Sequence, residues 1–226
     1  MPVTITHLGH SGFLLAAGKH TVAVDPFLTD NPVAVHKPAD IAPTHIAVSH
    51  GHSDHFGDCV ELSTKHNAPL IANYEVTELA RARGVTHLEP MNPGGQITTD
   101  FGWVALTQAF HSSSIDGQYA GMPCGIVLHI GGVTFYHTGD TALFSDMRLI
   151  GEIYRPDIAM ICAGDRFTMG PQLATRAAEF IRPKAAIPIH WGTWPPLAQE
   201  KDIREHFKPA GVEVRVMKAG EVWKYG

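Results

Sequence analysis

Between Val48 and Phe56 the chain reads Val-Ser-His-Gly-His-Ser-Asp-His-Phe, which places four potential metal ligands, His50, His52, Asp54 and His55, within six positions. Imidazole nitrogen and carboxylate oxygen are ligands that Zn²⁺ and similar divalent ions take. A polar loop with histidines scattered by chance rarely offers four ligands at this spacing. The run just before it, His45-Ile46-Ala47-Val48-Ser49, is apolar and β-branched enough to be a buried strand. The ligands therefore fall on the loop at the carboxyl end of a strand, where catalytic groups collect in layered α/β proteins. A fold that uses this cluster must bring further ligands to the same end.

Three later segments offer them, each after an apolar strand. Val104–Gln108 leads to His111, Val133–Tyr136 to Asp140, and Ala186–Ile189 to His190. A lone His or Asp at a strand end is more often a hydrogen-bonded structural residue. Their shared placement, and the open coordination of the first cluster, argue for all three together.

The rest of the chain reads as a layered α/β protein. Strands are expected at Val3–His7, Phe13–Ala16 and Thr21–Asp25, punctuated by turns at Gly9–Gly12 and Ala17–His20. Pro26–Pro43 carries four prolines and reads as loop. Asp58–His66 has helical spacing with Asp58 as N-cap, Leu70–Ala72 reads as a short strand, and Glu75–Arg83 as a helix ended by Gly84. In the second half, strands at Val104–Gln108, Gly125–Ile130 and Val133–His137 precede helices at Ser145–Tyr154, Pro171–Ile181 and Lys201–Phe207. These helices alternate with strands at Ile158–Ile161, Ala186–Ile189 and Val212–Val216, and Glu221–Lys224 closes the chain. Two sheets packed face to face with helices outside would bury this many apolar strands. The expectation is one domain over residues 1–226.

Charge narrows the partners. The net charge is −5 and no run of Lys or Arg stands out, which argues against nucleic acid or an anionic membrane surface. No stretch reaches the ~18 apolar residues a bilayer needs, and the N-terminus reads as a strand. Cys59, Cys124 and Cys162 are an odd, scattered set in apolar surroundings, which fits packing in a reducing, cytoplasmic compartment. Histidine is the outlier, with 15 residues against 17 Lys plus Arg.

The segments His50-x-His52-x-Asp54-His55, His111, Asp140 and His190 resemble, in order, the metal motifs of the metallo-β-lactamase-fold hydrolases. Gly9-His10-Ser11-Gly12-Phe13, Asp25-Pro26-Phe27-Leu28-Thr29, Phe167-Thr168-Met169-Gly170-Pro171 and Ile189-His190-Trp191-Gly192-Thr193 look closest to the small hydrolases related to ascorbate-phosphate lactonase. The resemblance implies an αββα sandwich with two metal ions, Zn or else Mn, Fe, Ni or Co. His50, His52 and His111 would form one site, Asp54, His55 and His190 the other, and Asp140 would bridge them. Asp54, Asp140 and His190 are then the residues on which catalysis depends most directly. Asp25 matches a residue that supports the metal loop. Two such ions ~3.5–4 Å apart would hold a hydroxide for attack on a lactone, ester, amide or phosphodiester.

Other residues carry weaker signals. His10, in a Gly-x-x-Gly loop, supports a metal ligand from behind or touches substrate, if it is not a turn residue. Asp165 follows a buried strand and could face the site, with Arg166 as a specificity element, or it pairs with Arg166 or caps a turn. Tyr119, Trp191 and Trp194 would wall the pocket or simply pack. His137, His7, His45 and His129 read as structural, and His20, His36, His66, His87 and His206 as solvated. A diiron redox protein on the same fold would have Glu where this chain has His52, and a flavin domain; neither is present. A nuclease would need a basic clamp. A non-catalytic metal-binding protein is the remaining alternative, but every ligand is in place. The expected partner is a small-molecule substrate, with no nucleic acid, no membrane, and self-association into a homo-oligomer.

Overall fold

The computed structural model describes residues 2–226. Strands β1 (Val3–Gly9), β2 (Gly12–Ala17), β3 (His20–Val24), β4 (His45–Ala47), β5 (Leu70–Asn73) and β6 (Leu88–Met91) form the first sheet. A second is built from β7 (Gln96–Thr99), β8 (Gly102–Gln108), β11 (Cys124–Ile130), β12 (Val133–His137), β13 (Ile158–Cys162), β14 (Ala185–Ile189) and β15 (Glu213–Val214). Between β8 and β11 lies a two-stranded ribbon, β9 (Ser114–Ile115) and β10 (Gln118–Tyr119). The last strand, β16 (Val222–Tyr225), returns to pair antiparallel with β1, Thr6 facing Val222.

Each sheet changes character partway across. Strands β1 to β3 form an antiparallel meander, whereas β3, β4, β5 and β6 run parallel. Likewise β7, β8, β11 and β12 are antiparallel, whereas β12 to β15 run parallel. The inner parallel strands are buried along their whole length, as expected when both faces are covered. In β4 and β5 the faces alternate. Ala47 and Ile71 enter the core between the sheets, while Ile46, Leu70 and Ala72 meet the helices Cys59–His66 and Tyr74–Arg81. Helices Met147–Tyr154 and Pro171–Ile181 cover the outer face of the second sheet. The layers thus run helix, sheet, sheet, helix, the αββα sandwich that the family resemblance implied. No helix among the described residues is long and apolar enough to cross a membrane.

Several local expectations need correction. Strands β6 and β7 were not legible: β6 contains Pro90 and β7 is half-exposed, because both are edge strands, where a missing N–H is tolerated. The strand expected at Val212–Val216 shrinks to Glu213–Val214, also at an edge. Asp58 does not cap its helix with its side chain. Its carboxylate accepts instead from the Leu28 and Thr29 amides at 2.8 and 2.9 Å, tying down the proline-rich loop. The next helix, Tyr74–Arg81, does have a side-chain cap: Asn73 accepts from Val76 N–H at 2.8 Å. The three cysteines are free and buried.

Candidate metal centre

All seven ligand-type residues singled out in the sequence converge at the carboxyl ends of β4, β8, β12 and β14. The loop after β4 is not wholly irregular: Ser53–Phe56 forms one helical turn that carries Asp54 and His55 inward together. His190 follows β14 at φ 64°, Asp25 follows β3 at φ 44°, and His10 turns between β1 and β2 at φ 57°. Left-handed backbone at three non-glycine residues of one site costs of order 1–3 kcal/mol each and persists only where surrounding structure enforces it.

The side chains fall into overlapping sets. The ring nitrogens of His50, His52 and His111 lie within 4.8 Å of one another, and so do the donor atoms of His10, Asp54, His55 and His190. Asp140 stands between the sets. Its Oδ2 lies 2.9 Å from His190 Nε2 and 3.6 Å from His111 Nε2, and its Oδ1 lies 3.2 Å from His55 Nε2.

Asp25 sets the tautomers from behind. Its Oδ1 accepts from Ser49 N–H at 2.7 Å, and its Oδ2 from Ser49 Oγ at 2.6 Å and His55 Nδ1 at 2.7 Å. The Ser49 hydroxyl has thereby spent its only proton on Asp25. The 3.0 Å contact between Ser49 Oγ and His50 Nδ1 must then be donated by the imidazole. His50 and His55 both hold a proton on Nδ1, so the nitrogen each keeps for a cation at the centre is Nε2, bare on neutral His50 and freed on His55 when its second proton leaves. This is the carboxylate-backed arrangement typical of metal-ligating histidines.

The charges fit cations. Among the described residues, His55 Nε2 and Asp140 Oδ1 are buried without a hydrogen-bond partner; they face each other out of line. Burial lowers the proton affinity of His50 far below normal, with the neighbouring His55 adding to the effect, and it likewise lowers that of His52 and His111. Burial works to raise Asp140 and Asp54, but the facing histidines outweigh it and hold both carboxyls ionised, Asp140 chiefly through His190 and His55, Asp54 chiefly through His55 and His10. Burial works to lower His190 and His55. The carboxylates, Asp140 first, outweigh it, raising His190 to about 9 and His55 far above its ordinary value. In the metal-free protein, protons on these two histidines supply positive charge that divalent ions would otherwise bring. Neutral, tautomer-fixed imidazoles around ionised carboxylates are the donor set that such ions need.

The remaining sequence candidates divide. His10 enters the centre: its Nε2 lies 3.1 Å from Asp54 Oδ2 and its Nδ1 2.7 Å from Thr193 Oγ1. Burial, helped by the charge of His190, lowers it to about 4, so it is neutral at pH 7 and gives Asp54 an N–H. Asp165 does not join. It is exposed in a turn at φ 62°, and its carboxylate enters none of the hydrogen bonds or ion pairs of the centre. Arg166 stacks over Phe167 instead. His137 is structural, bonded through Nε2 to Ser11 O at 2.8 Å. Trp191 packs with its N–H on Pro188 O at 2.8 Å, whereas Trp194 lies 5.0 Å from the His10 ring. Ser49 and Thr193 are the contributors that sequence reasoning missed. Ser49 adjoins the ligand cluster, and its position at the strand end was the available signal; Thr193 lay in the segment after His190, but nothing marked its hydroxyl.

A sequence profile described as a beta-lactamase superfamily domain matches residues 20–191. The chain belongs to the metallo-β-lactamase superfamily. Within that superfamily it is 45% identical over 222 residues to a UPF0173 metal-dependent hydrolase of Thermus thermophilus, covering 97% of this chain and 98% of the relative. A UPF0173 metal-dependent hydrolase of Archaeoglobus fulgidus is 41% identical, covering 98% of each chain. The solved structure of Igni18, a metallo hydrolase from Ignicoccus hospitalis, superposes with a TM-score of 0.90 at 31% identity, covering 100% of this chain and 99% of that one. The metallo-β-lactamase-fold protein described here is accordingly a metal-dependent hydrolase.

Proposed function

We propose that the enzyme is a dinuclear hydrolase of a small, uncharged carbonyl compound, a lactone or ester before an amide or phosphodiester. The observation that supports this most is the placement of Asp140 between two ligand sets, with its carboxylate oxygens 2.9 to 3.6 Å from ring nitrogens of His190, His55 and His111. In this reading His50, His52 and His111 would hold one ion and Asp54, His55 and His190 the other, with Asp140 available to both. Zn²⁺ suits such a set of imidazoles and carboxylates, and Mn, Fe, Ni or Co ions can also occupy it. A pair of ions held there would supply Lewis-acid chemistry and acidify water near neutral pH.

The protein's part is positioning. His10 N–H fixes the Asp54 carboxylate, and Thr193 fixes His10. Asp25 and Ser49 hold His50 and His55 in the binding tautomer. A cavity of about 700 Å³ borders the ligand loop beside His52 and Asp54. Arg83 is the one Lys or Arg lining it, and that guanidinium is taken up by Asp116 at 2.5 Å. A phosphate would find no free cation there, which favours a neutral carbonyl. The test is elemental analysis of natively purified protein, with a panel of lactones, esters, amides and phosphodiesters. About two equivalents of transition metal and turnover confined to carbonyl substrates are expected. Only trace metal after reconstitution, or turnover of phosphodiesters alone, would remove the proposal.

A further inference from the structure

A second histidine–carboxylate cluster lies far from the catalytic centre. His20 opens β3 and His45 opens β4, two parallel strands whose opposite ends deliver Asp25 and the ligand loop. Five residues of strand separate the two ends, roughly 15 Å. Asp100 comes from the other sheet, in the tight turn between β7 and β8. The donor atoms of His20, His45 and Asp100 lie within 4.8 Å of one another.

Hydrogen bonding around Thr44 decides which nitrogen His45 offers. Thr44 Oγ1 accepts from Thr21 N–H at 3.0 Å and donates its single proton to Thr21 O at 3.0 Å. With that proton on Thr21 O, its third contact, to His45 Nδ1 at 3.0 Å, is donated by the imidazole. The Nε2 of neutral His45 is then a bare lone pair, and it faces Asp100 Oδ1 at 3.2 Å. His20 Nδ1 lies 3.6 Å from the same oxygen. The His45 Nε2 lone pair and the Asp100 carboxylate at this distance are satisfied by a cation between them. A proton joins only one nitrogen to the carboxylate, whereas a metal ion satisfies all three donors. Tetrahedral bonds of ~2.0–2.1 Å give edges of about 3.3 Å, close to two of the separations seen. Phe101 sets the rings, edge-on to His45 at 4.7 Å and tilted against His20 at 6.5 Å.

We propose that His20, His45 and Asp100 form a third metal site, distal to the catalytic centre, that clamps the first sheet to the β7–β8 turn. Two imidazoles and one carboxylate select a Zn²⁺-type cation over Mg²⁺ or Ca²⁺, which prefer all-oxygen shells. Asp100 is 62% exposed, which leaves the fourth position to water. The His20 side chain is only 15% exposed, so the sequence reading of it as solvated does not hold.

The test is calorimetric titration with Zn²⁺ of protein whose catalytic centre has first been filled, comparing wild type with D100N and H20Q. Asp100 sits on an exposed turn and His20 at a strand end, so neither change threatens the fold. Wild type should take up one further equivalent, and each variant should bind it at least ~10-fold more weakly, since losing a ligand costs no less than losing its supporting residue. Turnover should be unchanged, which separates this site from the catalytic reading. Identical isotherms in all three proteins, or no equivalent beyond the filled centre, would overturn the proposal.

Discussion

Replacing Asp25 by Asn tests the tautomer argument without disturbing the backbone, because Asn tolerates the left-handed conformation at φ 44°. The shape is kept, and one oxygen becomes a donor. If the amide nitrogen takes the place of Oδ2, it faces Ser49 Oγ and His55 Nδ1, both of which now donate to that oxygen. Ser49 must then turn its proton to His50 Nδ1, and His55 must give up its Nδ1 proton. Both rings would carry the proton on Nε2, where a metal ion should bind. If the amide flips, the rings keep their tautomers, but the NH₂ group confronts Ser49 N–H across a contact now 2.7 Å long. Two charge-assisted bonds are lost in the first case, each worth ~1.5–3 kcal/mol, so the metal-free protein should lose about 3–6 kcal/mol before relaxation. Metal affinity should fall ~10- to 100-fold, the usual cost of removing a residue behind a ligating histidine. Competition against a chelator gives the affinity, urea unfolding in EDTA gives the stability, and imidazole ¹⁵N shifts report the tautomers. Wild-type affinity and wild-type chelated stability in D25N would refute the reasoning.

Three other outcomes are expected. D140N should weaken both ligand sets, whereas D54N should weaken chiefly the one with His55 and His190; equal partial loss of a single metal in both variants would contradict the bridging role. In Gly164→Ala the new methyl would lie 2.1 Å from the His190 carbonyl oxygen and 2.6 Å from its Nδ1, so His190 must move. Turnover should fall at least ~10-fold while circular dichroism is kept, and a near-normal rate would mean His190 position is unimportant. The chelated protein should lose stability as pH rises from 6.5 to 9. His190 has its folded value raised to about 9 from 6.5, so its contribution is complete below 6.5 and vanishes through 9. Protons compete with metal for imidazole, so the loaded protein should show the opposite slope, and urea midpoints that are flat or rising in EDTA would end this account.

The ligand loop was legible because its chemistry is local: four donors in six positions, after an apolar run, need no tertiary information. His111, Asp140 and His190 became legible through their shared position after strands. The short helix Ser53–Phe56 was not, since one turn is too brief to show a 3.6-residue period. Nor were the edge strands β6 and β7, whose pairing is set by neighbours and not by their own composition. Asp165 misled because a polar residue after a buried strand can turn toward solvent as easily as toward a site. The roles of Ser49, Thr193 and Thr44 depend on who holds a single hydroxyl proton, and only the assembled structure assigns it.

The centre has no owner in either layer. His50, His52, Asp54 and His55 belong to the first sheet's loops, and His111, Asp140 and His190 to those of the second. The sheets meet through apolar side chains, which resist separation but offer little directional hold against a small slide. A slide of one ångström would leave nearly every core contact in place, yet it would spoil every distance between Asp140 and His55. Turnover in this enzyme is therefore a gauge of sheet alignment. Core substitutions far from any ligand should surface in kinetics before they surface in a melting curve.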